Sequence, residues 1–192
     1  VKIADKRIKE TYRKYSETTL NKAFNQILLD SEKQSRRIIS KLPDGIYKAK
    51  DYIDGDGNVK NQISVQIKIQ IKGSNILFDY TGCSQARKAP INCSLGALTS
   101  AVKTVFKALV EPFAPSNEGY FKPMKIIIPK NTIFSAEKPS PTGWYYEGVS
   151  QASELAWKAL APLAPNRFSA GTYMSLCATY ICGNNVKNQY VH

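Results

Sequence analysis

The strictest constraint in the chain is a ten-residue run in which every second side chain is apolar. Ile63, Val65, Ile67, Ile69 and Ile71 alternate with Ser64, Gln66, Lys68, Gln70 and Lys72. Side chains alternate across a strand, so this pattern gives one apolar and one polar face, the signature of a half-buried antiparallel strand. A strand from Gly45 to Ile53 precedes it, across the turn Asp54-Gly55-Asp56-Gly57-Asn58. A third strand follows the turn Gly73-Ser74-Asn75 and runs from Ile76 to Tyr80. Turn chemistry between apolar runs of this length predicts a β-meander.

Helical signals flank the meander. Residues 3–15 read as a short basic helix with Ile3, Ile8 and Tyr12 on one side. Ser16 is placed to cap a second helix that runs to about Lys41. Its apolar stripe is Leu20, Ala23, Phe24, Ile27, Leu28, Ile38, Ile39 and Leu42, and Pro43-Asp44-Gly45 stops it. The expected packing sets three strands on this long helix. A third helix is expected over about 94–111, with Leu95, Leu98, Val102, Val105, Phe106 and Leu109 buried. Residues 112–119 read as loop, 125–128 as a short strand, and 129–143 as a Pro/Ser-rich loop without periodicity. A fourth helix is expected from near Ser150 to about Ala161. The fold class is therefore α+β, an antiparallel meander with flanking helices. The reading divides it into a helical segment, 1–43, and an α+β domain, 44–192. The chain starts at Val1 and ends at His192 after a strand-like stretch, so a piece of a longer polypeptide is expected.

Charge and reactive residues narrow the function. Lys and Arg number 27 against 15 acids, and residues 1–50 hold 13 bases against 6 acids. This balance admits an acidic partner or a nucleic acid, yet no zinc-finger spacing, aromatic RNA-binding pattern or glycine-rich RNA loop accompanies it. Helical spacing of the bases favours a solvated face, so nucleic acid is not the expected partner. No apolar run is long enough to span a bilayer and no secretion signal opens the chain, so a cytoplasmic protein with reduced thiols is expected. Cys83, Cys93, Cys177 and Cys182 contain no CxxC pair, which argues against zinc. The single histidine, His192, is terminal, which excludes Ser-His-Asp and Cys-His machinery inside this stretch. Asp54, Asp56 and Asn58 start like a calcium loop, but Val59 and Val65 stand where such a loop needs Gly and Glu.

Three stretches remain as candidates. Asp79-Tyr80-Thr81-Gly82 leaves a strand end, where Asp with Thr and Gly can orient a substrate, support a metal site or simply cap a turn. Pro90-Ile91-Asn92-Cys93-Ser94 runs into a helix N-terminus, which favours anions or plain capping. No Walker or GxGxxG pattern marks a nucleotide site. The richest stretch is 143–151, where Trp144, Tyr145 and Tyr146 precede Glu147, Ser150 and Gln151. It can line a pocket for a flat ring or plug the core.

Taken in order, these motifs resemble a known family. Lys41-Leu42-Pro43-Asp44-Gly45-Ile46-Tyr47 is followed by the Ile-rich strand, by Phe78-Asp79-Tyr80-Thr81-Gly82 and by Ala89-Pro90-Ile91-Asn92-Cys93. The stretches 115–123 and Ser169-Ala170-Gly171-Thr172 complete the set. The whole resembles the middle of the hydantoinase B/oxoprolinase family, B-type subunits of ATP-dependent hydantoinases and 5-oxoprolinases, which also includes acetone and acetophenone carboxylase subunits. Cys83 stands where the family has a small hydroxyl residue, and Ala89 where it has Gly.

The resemblance implies an ATP-dependent hydrolase that opens hydantoin or 5-oxoproline rings, or else a ketone carboxylase. ATP would be bound by an A-type partner subunit, giving a hetero-oligomer. A divalent metal would take its ligands from outside these residues, with none inside them. The implied site residues are Asp79, Thr81, Asn92, Glu147, Ser150, Gln151 and Thr172. Glu147 is the one expected to act as a base, and the others would position substrate or support the site.

Overall fold

The computed structural model describes residues 1–58, 61–171, 183–184 and 190–191. Helix α1 (Lys2–Lys14) leads through extended Tyr15 and Ser16 into α2 (Glu17–Ile39). The Ser16 hydroxyl accepts the Thr19 N–H at 3.3 Å, the expected cap. Strands β1 (Gly45–Ile53), β2 (Ile63–Lys72) and β3 (Asn75–Asp79) form the antiparallel meander. Helices α3 (Leu95–Val110) and α4 (Glu118–Phe121) follow, then β4 (Met124–Ile127) and α5 (Tyr145–Leu160). A 3-10 turn (Ala161–Leu163) and a two-residue pair, β5 (Gly183–Asn184) with β6 (Tyr190–Val191), complete the described elements.

The sheet order is β1-β2-β3-β4. The α+β class holds, with one addition: β4 pairs parallel to β3, so the sheet is mixed. The crossover from β3 to β4 contains α3 and α4, and a parallel neighbour requires such a long connection.

All five apolar residues of β2 are at most 3% exposed. Each contributes on the order of 1.5–3 kcal/mol by leaving water. The expectation that the long helix covers this face needs correction, because α5 covers it. The Tyr80 hydroxyl on β3's inner side donates to the Ala152 carbonyl of α5 at 2.9 Å. Lys158 of α5 reaches Asp51 of β1 at 3.3 Å. Helix α2 buries only Leu20, Ser35 and Ile39, and its stripe residues Phe24 and Ile27 are exposed. Its C-terminal half instead packs along the rim. Glu32 pairs with Lys122 at 3.0 Å, and Arg36 reaches the Asn75 side chain at 2.8 Å.

Other differences have local causes. Leu95 is the first residue of α3 and is exposed, one turn ahead of the buried stripe. The four-residue α4 falls partly in a predicted loop, where the Asn117 side chain caps it by accepting the Tyr120 N–H. Helix α5 begins at Tyr145, not near Ser150. Gly148 does not break it, because that glycine is a packing contact: a Cβ there would lie 3.0 Å from the Cys93 Cβ. No helix of the described residues is long and apolar enough to cross a membrane.

Candidate functional site

Two clusters of candidate residues lie on opposite sides of the sheet. Asp79 is the last residue of β3, and alternation separates it from Tyr80, whose ring is buried beneath α5. Asp79 therefore looks out from the other face. Its Oδ1 accepts the Thr81 N–H at 2.9 Å, and its Oδ2 meets Lys68 Nζ at 2.9 Å. Thr81 is exposed beside it. Lys48, Lys50, Gln66 and Lys68 join these two around a depression of about 550 Å³. Gly82 has φ +94, a backbone conformation that side-chain-bearing residues rarely adopt, and a Cβ there would displace the Gln66 amide. The Gln66 amide donates to the Thr81 carbonyl at 3.0 Å, fixing the turn.

Burial pushes the Asp79 carboxyl up, but its bonds from Thr81 and Lys68 outweigh that and hold it below its ordinary value. A carboxyl whose pKa is lowered by folding stabilises the fold above its unfolded pKa, and loses that contribution as pH falls through the folded value. Asp79→Asn is thus expected to lower stability at pH 7. The wild-type advantage should shrink progressively below about pH 4, the ordinary aspartate range. Urea unfolding of both proteins across this window checks it, and a pH-independent difference would contradict the account.

The second cluster is built where loops 84–94 and 129–143 meet the start of α5. Asn92 is fully buried and its side chain is spent on backbone. Its Oδ1 accepts the Arg87 N–H at 2.6 Å, and its Nδ2 donates to the carbonyls of Arg87, Ala89 and Pro141 at 2.9, 3.0 and 2.7 Å. One amide thus staples the two loops together. The Trp144 N–H donates to the Pro90 carbonyl at 2.7 Å and fixes where α5 begins. Trp144 and Tyr146 meet edge to face at 5.2 Å, and Tyr145 packs on Tyr146 at 6.1 Å. Glu147, Ser150 and Gln151 follow at i, i+3 and i+4, which stacks them on one side of α5. Glu147 and Ser150 are half-buried. Gln151 is 3% exposed, and its Nε2 finds no acceptor among the described residues. A buried amide donor without an acceptor is costly, so this is where a carbonyl or other acceptor from elsewhere would fit.

The structure thus groups Asn92, Glu147, Ser150 and Gln151 around one helix start, and Asp79 with Thr81 on the far side of the sheet. Thr172 lies outside the described residues, as do Cys177, Cys182 and His192. The chain leading to Thr172 does approach α5. Trp157 Nε1 donates to the Ser169 carbonyl at 2.9 Å, and a Cβ on Gly171 would lie 2.7 Å from Glu154 Oε2.

Sequence reasoning passed over Tyr80, the Cys93–Gly148 contact and the lysines of the outer depression. The alternation of β1 against β2 already placed Lys48 and Lys50 on the face of Gln66 and Lys68. Tyr80 and the Cys93–Gly148 contact are long-range packing and carry no local signal. The two described thiols are inert. Burial pushes Cys83 up to about 11 and Cys93 up to about 12. The Cys83 thiol bridges the Gln66 backbone, donating to its carbonyl at 3.2 Å and accepting its N–H at 3.4 Å. That is work a hydroxyl also does. Among the described residues, no group of three or more His, Cys, Asp or Glu side chains could hold a metal.

Comparison with known proteins fixes the lineage. The sequence model of hydantoinase B/oxoprolinase matches residues 1–192. The chain belongs to the hydantoinase B/oxoprolinase family. Among the family's curated members, the B-type subunit of a putative D-/L-hydantoinase from Pseudomonas sp. (strain NS671) is 30% identical over all of this chain and 34% of its own length. An uncharacterized protein of Methanocaldococcus jannaschii is 30% identical over 94% of this chain and 32% of its own length. The chain therefore spans about a third of these relatives. Its fold is similar to the ATP-dependent caprolactamase of Pseudomonas jessenii, with TM-score 0.78 and 17% identity over 86% of this chain and 29% of that one. It is also similar to a nucleotide-free acetone carboxylase, with TM-score 0.75 and 15% identity over 88% of this chain and 25% of that one.

Proposed function

We propose that this hydantoinase B/oxoprolinase chain is the central part of a B-type subunit of an ATP-dependent hydrolase that opens a cyclic amide, a hydantoin or 5-oxoproline. The observation that carries this reading is the match along the entire chain to the B-type subunit of a putative D-/L-hydantoinase. The aromatic helix start supports it: Trp144, Tyr145 and Tyr146 offer faces for a small planar ring beside a carboxylate.

In this reading Glu147 accepts the proton of the attacking water, and Ser150 holds the substrate. Gln151 Nε2, without an acceptor among the described residues, donates to the substrate. Asn92 acts indirectly by fixing the loop that positions α5. Asp79 and Thr81 serve at the outer depression, away from the ring.

ATP and a divalent metal come with the reading, and the described residues do not fit the metal. No three ligating side chains converge, and both described thiols are held protonated by burial. The N-terminus of α3, the helix end that favours anions, is capped by Ser94, which accepts the Ala97 N–H at 3.3 Å. In this reading an A-type partner subunit binds ATP, and any metal takes its ligands from residues beyond those described.

The likeness to acetone carboxylase favours one second reading, a ketone carboxylase. The test is ATP consumption by the complete reading frame co-expressed with its A-type partner. Stimulation by 5-oxoproline or a hydantoin without bicarbonate is expected. Stimulation by a ketone that requires bicarbonate would replace the hydrolase reading with the carboxylase one. No stimulation and no co-purifying partner would reject both.

A further inference from the structure

Eight of the fourteen large apolar side chains that stay exposed among the described residues fall within residues 1–29. Ile3 is 78% exposed, Ile8 57%, Phe24 50% and Ile27 55%. Helix α1 buries none of its residues. Ile8 and Tyr12 are four apart on α1, and Phe24 and Ile27 three apart on α2, so each helix presents a ridge rather than scattered side chains. A 13-residue helix standing alone is marginal in water. What α1 has to hold it is three ion pairs within itself, between Asp5 or Glu10 and nearby bases, all exposed. Such pairs are worth little. The ridge needs cover to be stable, and a concentration of apolar surface of this kind marks an interface.

Charge says what the cover is. Helix α1 holds six bases and two acids, and both acids are already paired inside the helix. A second copy would bring the same basic flanks to this surface, so self-association across it is opposed. The cover must be acidic with an apolar ridge of its own. Length says where it comes from. The relatives run about three times the matched length, so most of a family polypeptide lies outside the region seen here. A segment tethered to the same chain meets this surface at an effective concentration of order millimolar, ahead of a free subunit.

We infer that the apolar ridge of α1 and the first half of α2 is the seat of an acidic amphipathic segment of the same polypeptide, lying outside residues 1–192. The test uses the complete reading frame with its A-type partner. A benzophenone amino acid replaces Ile8 or, separately, Phe24, with exposed Lys33 as the control position. After irradiation and digestion, the expected adduct at positions 8 and 24 joins residues 1–29 to an acid-rich peptide of the same chain, at monomer mobility. Adducts to the A-type subunit or to a second copy, or yields no higher than at position 33, overturn the inference. Amide exchange provides a second readout. The α1 amides of the complete chain should exchange at least about tenfold more slowly than in a peptide of residues 1–16. The double variant Ile8→Glu, Phe24→Glu should abolish that protection. Equal exchange in chain and peptide overturns the inference too. Neither readout depends on turnover, so failure here leaves the proposed reaction standing, and failure of the ATP assay leaves this surface standing.

Discussion

Replacing Glu147 by Gln in the complete enzyme is expected to lower kcat/KM for ring opening by about 10²–10⁴-fold, the usual contribution of a positioned acid or base. The substitution keeps the shape of the side chain and removes its charge. Glu147 sits in the first turn of α5, where a negative charge interacts favourably with the helix end. Losing that interaction costs only about 0.3–1 kcal/mol, so the unfolding midpoint should move little. Activity and stability therefore separate in this variant. Ser150→Ala on the same side of α5 should raise KM more than it lowers kcat, because a positioning hydroxyl contributes to binding. Single-turnover and steady-state rates of both variants, beside urea unfolding curves, make the comparison. Full turnover with Glu147→Gln would remove the residue from the mechanism.

Part of this site was legible in the residues. The period of two in β2 fixed which side chains face the core, and the cap at Ser16 fixed the start of α2. The same period separates Asp79 from Tyr80, so these neighbours could never have shared a site. What periodicity does not reveal is which helix covers which face. Helix α2 has the longer stripe, yet α5 lies on the sheet, because the choice depends on where the β3–β4 crossover delivers the chain. The direction of β4 was hidden for the same reason: four residues read alike whether they pair parallel or antiparallel. The start of α5 was expected near Ser150, but the helix begins at Tyr145 and takes in Gly148. Its reason for being glycine, the Cys93 backbone and side chain, lies 55 positions away. The exposed ridge of α1 and α2 is the converse case. Its 3.6-residue pattern announces a buried face, and nothing among the described residues buries it.

The largest stability effect expected of a minimal substitution is at Gly119, where Ala should cost about 2–3 kcal/mol. The added Cβ would overlap the Leu28 carbonyl group and Cα, which belong to the backbone of α2. A flexible side chain could swing aside, but a helix backbone cannot, so α2 and α4 must separate. That separation strains the contacts that hold the long helix on the rim. Asn117 Nδ2 donates to Ser31 Oγ at 2.8 Å, and Lys122 pairs with Glu32 at 3.0 Å. Gly143→Ala is the matched control, because its nearest neighbour would be the Pro90 Cβ at 3.4 Å, an ordinary contact. It should change stability by less than about 0.5 kcal/mol. Urea unfolding of the two variants should differ by the larger amount. Limited proteolysis of Gly119→Ala should cut first within α2, since the damage begins at that helix's seat. Because α4 packs against α2 rather than α5, turnover per folded molecule should stay at the wild-type value. Equal midpoints for the two alanine variants would mean that α2 and α4 do not approach as closely as Gly119 allows.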